Sequence, residues 1–501
     1  MLHGSRKWGF FIGMSLVVSA QPPGKATVFH ASTRLVEVQV TVRNQRVRPQ
    51  GVRGALVWAL DSGPPFGPAG TPLKGLTKDD FTLLDQGKPQ RIAVFSAQPP
   101  HEDIVFTPPP GTVSNRTNHQ GQPLTGTTAI LVDLLNTPWA LTDYARLGLT
   151  EFLRTLKDTE SPIALYSLGK DLHVLHDFTD DPQKLRDAAA MLDQPDGHLP
   201  PDFSTALRDW GDLASLDNPG LAADIHGRIT LKALTSIIQH LSGVPGRKNL
   251  VWLAQAPWIP PRVTKMMQQA NVVLYPVRVR GLGGFADLEG EVSRVFGKAS
   301  GGRGFFDARD LVFAVQTATE DLGSAYTLGF YPSDEMLDGK FHKITVKLAD
   351  STVELHYRSG YLATKDEVPS AVDAPSLAEL LEDPIDSTGL GLAAQAIPQD
   401  QRPGLCDVRI TVNLHDVKLK RIDRQSVGAL DFATPSAYPD GTIKGGSVAI
   451  NLADDQLVST LEHGFTFVIR GVEANLGEVR LVVRDHTTGI AGSLRVPITK
   501  Q

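Results

Sequence analysis

Residues 127–137, Thr-Thr-Ala-Ile-Leu-Val-Asp-Leu-Leu-Asn-Thr, constrain the fold more than any other stretch of the chain. The apolar run Ala129 to Val132 stops at Asp133. Beyond it Ala145, Leu149, Phe152, Leu153 and Leu156 recur at the i, i+4, i+7, i+8, i+11 spacing of a helix with one apolar face. A buried strand followed by an amphipathic helix opens an α/β unit. In open α/β sheets, ligands lie outside the carboxyl ends of the strands. Asp133, Asn136 and Thr137 are therefore predicted at that edge, solvent-accessible and close together.

Strands and helices alternate from this point to about residue 332. Strands are predicted at 163–168, 172–175, 249–253, 272–279 and 326–331. Helices are predicted from Asp181-Pro182, over 229–242 up to the stop at Gly243 to Gly246, and over 307–323. Such alternation predicts α/β architecture over 126–332, with a Rossmann-like, doubly wound parallel sheet. Residues 193–227, rich in Asp, Pro and Gly, read as an irregular insertion. Residues 28–105 read as a β module: 34–42 alternates polar and apolar side chains, and Gln86-Gly87 turns between 82–85 and a return at 92–95. Residues 106–125, polar with three consecutive prolines, read as a linker. After Pro332 the segments 341–348 and 352–357 form a β pair expected to complete the 28–105 module, through 362, as a β-sandwich-like unit into which the α/β domain is inserted. Residues 364–404 read as a linker with a short helix at 376–382, and 405–501 as a C-terminal β-sandwich.

At 501 residues the chain exceeds what one core can hold, and about three domains is the prior for that length. A net charge of −6 gives no basic footprint, so nucleic acid is not an expected partner. Residues 1–20 read as a signal peptide. Arg6 and Lys7 precede the apolar Trp8 to Val18, too short to span a bilayer, and Val18-Ser19-Ala20 offers small residues for cleavage. No later stretch reaches about 20 apolar residues, so the expectation is an exported protein, periplasmic or extracellular, with no transmembrane segment in the mature chain. Cys406 is the single cysteine, which excludes an intrachain disulfide and a cysteine-based zinc site; at the start of a strand it reads as a small buried hydrophobe.

Six landmarks, in this order, resemble the von Willebrand factor A-related proteins abundant in acidobacteria. They are Gly75-Leu76-Thr77-Lys78-Asp79-Asp80-Phe81 with Asp85-Gln86-Gly87-Lys88-Pro89-Gln90; Leu131 to Thr137; Pro245-Gly246-Arg247-Lys248-Asn249-Leu250-Val251-Trp252; Leu274 to Leu282; Gly301-Gly302-Arg303 with Tyr326 to Pro332; and Asp338 to Ile344 with Tyr357-Arg358-Ser359-Gly360-Tyr361. They cover residues 30–362. The resemblance implies export and a binding domain of von Willebrand factor A type. Such domains carry a metal-ion-dependent adhesion site, Asp-x-Ser-x-Ser, after the first strand. This chain has Asp133-Leu134-Leu135-Asn136-Thr137 there: the first and last positions match, and Leu135 cannot coordinate.

A cation of the Mg²⁺ type wants an octahedron of oxygens, several of them water. Asp133 and Thr137 can supply the first loop, Asn136 an oxygen off the usual spacing, and Ser204 or Thr205 a second loop. The strand 249–253 runs into Ala254-Gln255-Ala256, with no acid. Such a degenerate site is expected to hold Mg²⁺ or Mn²⁺ weakly or not at all. The competing reading has Asp133 capping the helix and bonding Thr137 or nearby amides without metal. Gly281 to Ala286 matches a dinucleotide fingerprint in its letters, but too late in the sheet. His173 and His176 fall on opposite faces of a strand, and His342 and His356 read as strand-surface residues. No Gly-x-Ser-x-Gly, His-Glu-x-x-His or phosphate loop occurs, so no enzyme is expected. The function expected is binding or adhesion to a protein or cell-envelope ligand. A metal-free structural scaffold of an envelope assembly is the alternative, and a secreted hydrolase ranks last.

Overall fold

The computed structural model describes residues 35–44, 70–97, 107–118, 121–137, 139–156, 161–192, 219–254, 261–279, 297–305, 311–333, 336–349, 352–363, 374–402, 404–435, 443–473 and 477–498. The signal segment, Ser204, Thr205 and the 281–286 glycine run lie outside them. The chain forms two compact units, one of Thr33–Glu102 with Leu124–Asp366 and one that joins Asp103–Pro123 to Glu367–Gln501.

In the first unit, Thr127–Asp133 is the middle strand of a five-stranded sheet. The order is Val272–Arg278, Lys248–Ala254, Thr127–Asp133, Ile163–Leu168, Leu172–Thr179. Every residue of the middle strand is buried, because a strand covered on both faces reads as a continuous apolar run. Ile130 and Val132 face one core with Ala145, Leu149, Phe152 and Leu153 of the helix Trp139–Thr155, and with Leu311, Ala314 and Ala318 of the helix Leu311–Leu322. The alternate residues Leu131 and Trp252 face the other side, where the helices Pro219–Ser242 and Pro261–Gln269 bury Leu234, Ile237 and Val263. The sheet is parallel except at one edge. Leu172–Thr179 runs antiparallel to Ile163–Leu168, because the 169–171 connection is a hairpin turn and a parallel return needs a crossover of a dozen or so residues.

Two antiparallel sheets share a second core in the same unit. One has the order Val353–Tyr357, Val36–Asn44, Tyr326–Phe330, Val94–Ser96; the other runs Gly360–Leu362, Phe341–Leu348, Phe81–Asp85, Lys88–Gln90. Phe341–Leu348 thus pairs with Phe81–Asp85, and Val353–Tyr357 with Val36–Asn44. Gln86-Gly87 turns with both φ positive, as a two-residue hairpin requires, and the return strand is Lys88–Gln90 rather than 92–95. Tyr326–Phe330, read in the sequence as the last strand of the α/β sheet, belongs here instead, antiparallel to Val36–Asn44. All five of its residues are buried, and an apolar run of that length does not say which sheet it joins. His342 is also corrected. The strand alternates with Phe341 outward and His342, Ile344 and Val346 inward, so His342 is buried with Nδ1 at 3.0 Å from Asp85 and Nε2 at 3.2 Å from Asp338. The Tyr361 hydroxyl donates to the same Asp85 at 2.7 Å.

A buried polar joint ties the β strand Val36–Asn44 to the α/β layer. Arg43, 0% exposed, donates to Asp321 at 2.6 Å, to Glu320 at 2.9 Å and to the carbonyls of Gly70 and Thr317. Burial disfavours the charged guanidinium, but the two carboxylates outweigh it and raise its pKa. Tyr275 donates to Asp321 at 2.5 Å, Arg247 donates to Tyr275 and Asn249, and Asn249 donates to the Ala318 carbonyl. Next to the joint, Gly302 lies flush on the edge strand: a Cβ there would sit 2.0 Å from the Leu274 carbonyl oxygen. Gly302→Ala is therefore expected to destabilise the protein by about 1–3 kcal/mol through overpacking. A denaturant titration checks this, and an unchanged midpoint would contradict the close approach.

In the second unit, the short helix expected at 376–382 is present, and strands run through both stretches expected to be linkers. Leu377–Glu382 is a helix with a Ser376–Glu379 capping box. Leu392–Pro398 is a buried strand that pairs with Leu405–Val412 on one side and Val113–Ser114 on the other. Its alanines blur the polar–apolar alternation, and the two residues of Val113–Ser114 are too few to show any. The two sheets run Phe465–Glu473, Leu405–Val412, Leu392–Pro398, Val113–Ser114, and Lys420–Ile422, Gln425–Pro435, Glu478–Asp485, Ala491–Pro497, with Ile443–Ala453 also paired to Gln425–Pro435. They bury one core, in which Cys406 is fully enclosed with its thiol 3.5 Å from the Val472 carbonyl. No described helix is long and apolar enough to cross a membrane.

Candidate functional site

The chain enters the sheet at Thr127–Asp133, goes to one edge through Ile163–Leu168, then returns to the other side of the first strand at Lys248–Ala254. The gap where the order reverses lies between the carboxyl ends of Thr127–Asp133 and Lys248–Ala254, the place where open α/β sheets bind ligands. Asp133 closes that gap. After it the backbone turns, and the amides of Leu134 and Leu135 both donate to the Leu168 carbonyl. The Asn136 amide donates to Asp133 Oδ1 at 2.9 Å, and the Asn136 side-chain amide to Oδ2 at 2.8 Å. The indole Nε1 of Trp252 donates to Oδ2 at 2.9 Å. Asn136 also donates to Thr230 of the helix Pro219–Ser242 at 2.9 Å, which ties the turn to that helix. The Thr137 hydroxyl donates to the Asp133 carbonyl at 2.6 Å.

Asp133, Asn136 and Thr137 are thus brought together at the carboxyl edge, but the expected accessibility is corrected. Asp133 is 0% and Thr137 1% exposed, and only Asn136 is part-exposed. Leu134 and Leu135 roof the turn and are themselves buried. Burial pushes the Asp133 carboxyl up to about 6, although the bonds from Asn136 and Trp252 favour its charged form. Ser204 and Thr205 lie outside the described residues. Among the described residues Thr230, which the sequence did not single out, lies beside the turn.

A divalent cation does not fit the described residues. Three N–H donors converge on the Asp133 carboxylate and use most of its lone-pair sites. The Thr137 hydroxyl is committed to a carbonyl, and the middle ligand position holds the buried Leu135. Among the described residues no group of three or more His, Cys, Asp or Glu side chains is placed to hold a metal. Asp133 bonds a nearby amide, that of Asn136, while the Thr137 hydroxyl bonds the Asp133 backbone oxygen. Trp252 is the residue that sequence reasoning missed. An indole inside a buried strand was the available signal, because a buried Trp N–H needs an acceptor.

No protein-family model matches the sequence, and no curated protein does either. Among solved structures, the chain is similar to an aerotolerance-related membrane protein from Bacteroides fragilis, at TM-score 0.25 and 10% identity, over 39% of this chain and 98% of that one. It is also similar to the conserved hypothetical protein BatB from Bacteroides thetaiotaomicron, at TM-score 0.23 and 10% identity, over 39% and 96%. A von Willebrand factor type A structure from Catenulispora acidiphila gives TM-score 0.25 and 12% identity, over 76% and 68%. Likenesses of this size say nothing of function.

Proposed function

We propose that this chain is an exported, non-enzymatic binding protein. Its α/β layer is a Rossmann-like, doubly wound domain of von Willebrand factor A type, held by a β-sandwich-like module. The carboxyl edge of the layer meets a protein or cell-envelope ligand without a divalent cation. The observation that carries the metal-free part is the Asp133 carboxylate, sealed from solvent and satisfied by Trp252 and Asn136. Support for the domain type comes from the strand order around Thr127–Asp133 and the placement of Asp133, Asn136 and Thr137 at its edge. Export follows from the Arg6-Lys7 flank and the apolar stretch to Val18, with cleavage near Ala20.

Calorimetric titration of the purified protein with millimolar MgCl₂ or MnCl₂ is expected to give no binding heat. Capture of the protein on isolated cell envelopes should be equal in EDTA and in Mg²⁺. Capture that is lost in EDTA and regained with Mg²⁺ would refute the cation-free reading. Mass spectrometry of the secreted protein should find a chain starting close after Ala20; a mature chain that keeps Met1 would end the export reading.

A further inference from the structure

Free edges in the second unit are guarded, with one exception. A sheet edge exposes unpaired backbone groups, and proteins blunt it with short length, charge, proline or a bulge. Val113–Ser114 is two residues and Lys420–Ile422 three, the latter starting Lys-Arg. Ala491–Pro497 carries Arg495 and ends in proline. Phe465–Glu473 carries Arg470, and its pairing with Leu405–Val412 is broken by a register shift at Cys406 and Val408. Ile443–Ala453 is long, has no proline and no bulge, and carries a single charge, Lys444, near its start. It runs 11 residues in unbroken register with Gln425–Pro435, and among the described residues no strand pairs with its other side. From Gly445 to Ala453 it has no charge and no proline. Its outward residues Gly445, Ser447, Ala449 and Asn451 are small or uncharged and exposed, and Gly446, Val448, Ile450 and Leu452 face inward.

We propose that Ile443–Ala453 pairs antiparallel with the same strand of a second copy of this chain, about a twofold axis at Ala449. That register is self-complementary. It sets Val448 opposite Ile450 on the inner face, a β-branched pair of the kind that stabilises sheets, and Ser447 opposite Asn451 on the outer face. It keeps the inner faces of the two copies on one side, which a slip by one residue would not. The charges flanking the neutral stretch also match. Lys444, which donates to the Gly471 carbonyl, comes opposite Asp454 of the other copy, a carboxylate that also accepts from Arg421 of its own chain at 2.6 Å, and the acidic pair Asp454-Asp455 opens the helix that follows the strand. The contact occurs twice, as a twofold interface requires. Two sheets of this unit join edge to edge, and the exposed backbone row is satisfied.

The test is the molar mass of the full mature chain by sedimentation or light scattering, over a concentration series. The wild type should show a reversible monomer–dimer equilibrium. Ala449→Lys puts two ammonium groups face to face on the axis while changing only an exposed side chain of the monomer. It should weaken the dimer at least about tenfold. Lys444→Asp should also weaken it. Circular dichroism of each variant confirms an unchanged monomer. A wild type that stays monomeric at the highest concentration overturns the proposal and leaves the edge to an extended segment of another protein. So does a dimer that Ala449→Lys does not weaken.

Discussion

Arg43→Met should lower stability by about 3–5 kcal/mol, because removing one partner of a buried ion pair leaves the other charge uncompensated. Methionine replaces the methylene stem at nearly the same volume, so the loss is not one of packing. The remaining contacts of Asp321 are the Tyr275 hydroxyl at 2.5 Å and Arg247 at 3.8 Å. Glu320, more exposed, can turn to water. The carbonyls of Gly70 and Thr317 lose their donor as well. Arg43→Lys keeps the charge but not the fork that reaches four acceptors, and should lose less. Combining Arg43→Met with Asp321→Asn should recover part of the loss, since replacing both members of a buried pair is often close to neutral. Guanidinium titrations of the four proteins decide it. An Arg43→Met protein within about 1 kcal/mol of wild type would mean that the joint does not hold the β strand to the α/β layer.

This joint also shows how far the sequence could be read. Pro245 to Trp252 stood out as a landmark, and the structure supplies its physics: Arg247 and Asn249 belong to the joint, Lys248 donates to the Val244 carbonyl, and Trp252 closes on Asp133. None of that is visible in periodicity, because the tertiary fold chooses the partners: Asn249 meets the Ala318 carbonyl and Trp252 meets Asp133, each on a different element. Arg43 sits in an alternating strand whose polar residues look like a solvent face. Thr127–Asp133 and its helix were legible because a strand buried on both sides and a one-faced helix impose local patterns. Tyr326–Phe330 was legible as a strand but not as a member of a sheet, since strand partnership is a non-local choice. Leu392–Pro398 was hidden by its alanines. At the site, spacing alone placed Asp133, Asn136 and Thr137 together. Their burial was not legible, because it depends on where Trp252, Leu134 and Leu135 come to rest.

Asp133 should make the protein less stable as pH rises from about 4 to 7, against the usual direction for a carboxylate. Its pKa is raised from 3.8 to about 6 by burial. Between those values the folded state binds more protons at this site than the unfolded state, so stability falls with pH. The contribution is full below the unfolded value and lost as pH passes the folded one. The size is about 3 kcal/mol, from roughly two pKa units at 1.36 kcal/mol each. Carboxyls held low, such as Asp338, Asp407 and Asp431, act in the opposite direction at lower pH. The quantity to measure is therefore the difference between wild type and Asp133→Asn, which does not titrate. That difference should shift against the wild type by about 3 kcal/mol across the window in denaturant melts at stepped pH. Trp252→Phe removes a donor that favours the anion, so it should move the midpoint of the loss to higher pH. A bound cation would hold Asp133 ionised and erase the window. Millimolar Mg²⁺ should therefore leave the wild-type curve where it is. Parallel curves for wild type and Asp133→Asn would show that Asp133 is not sealed in the way the bonds from Trp252 and Asn136 require, and would reopen the carboxyl edge to a metal.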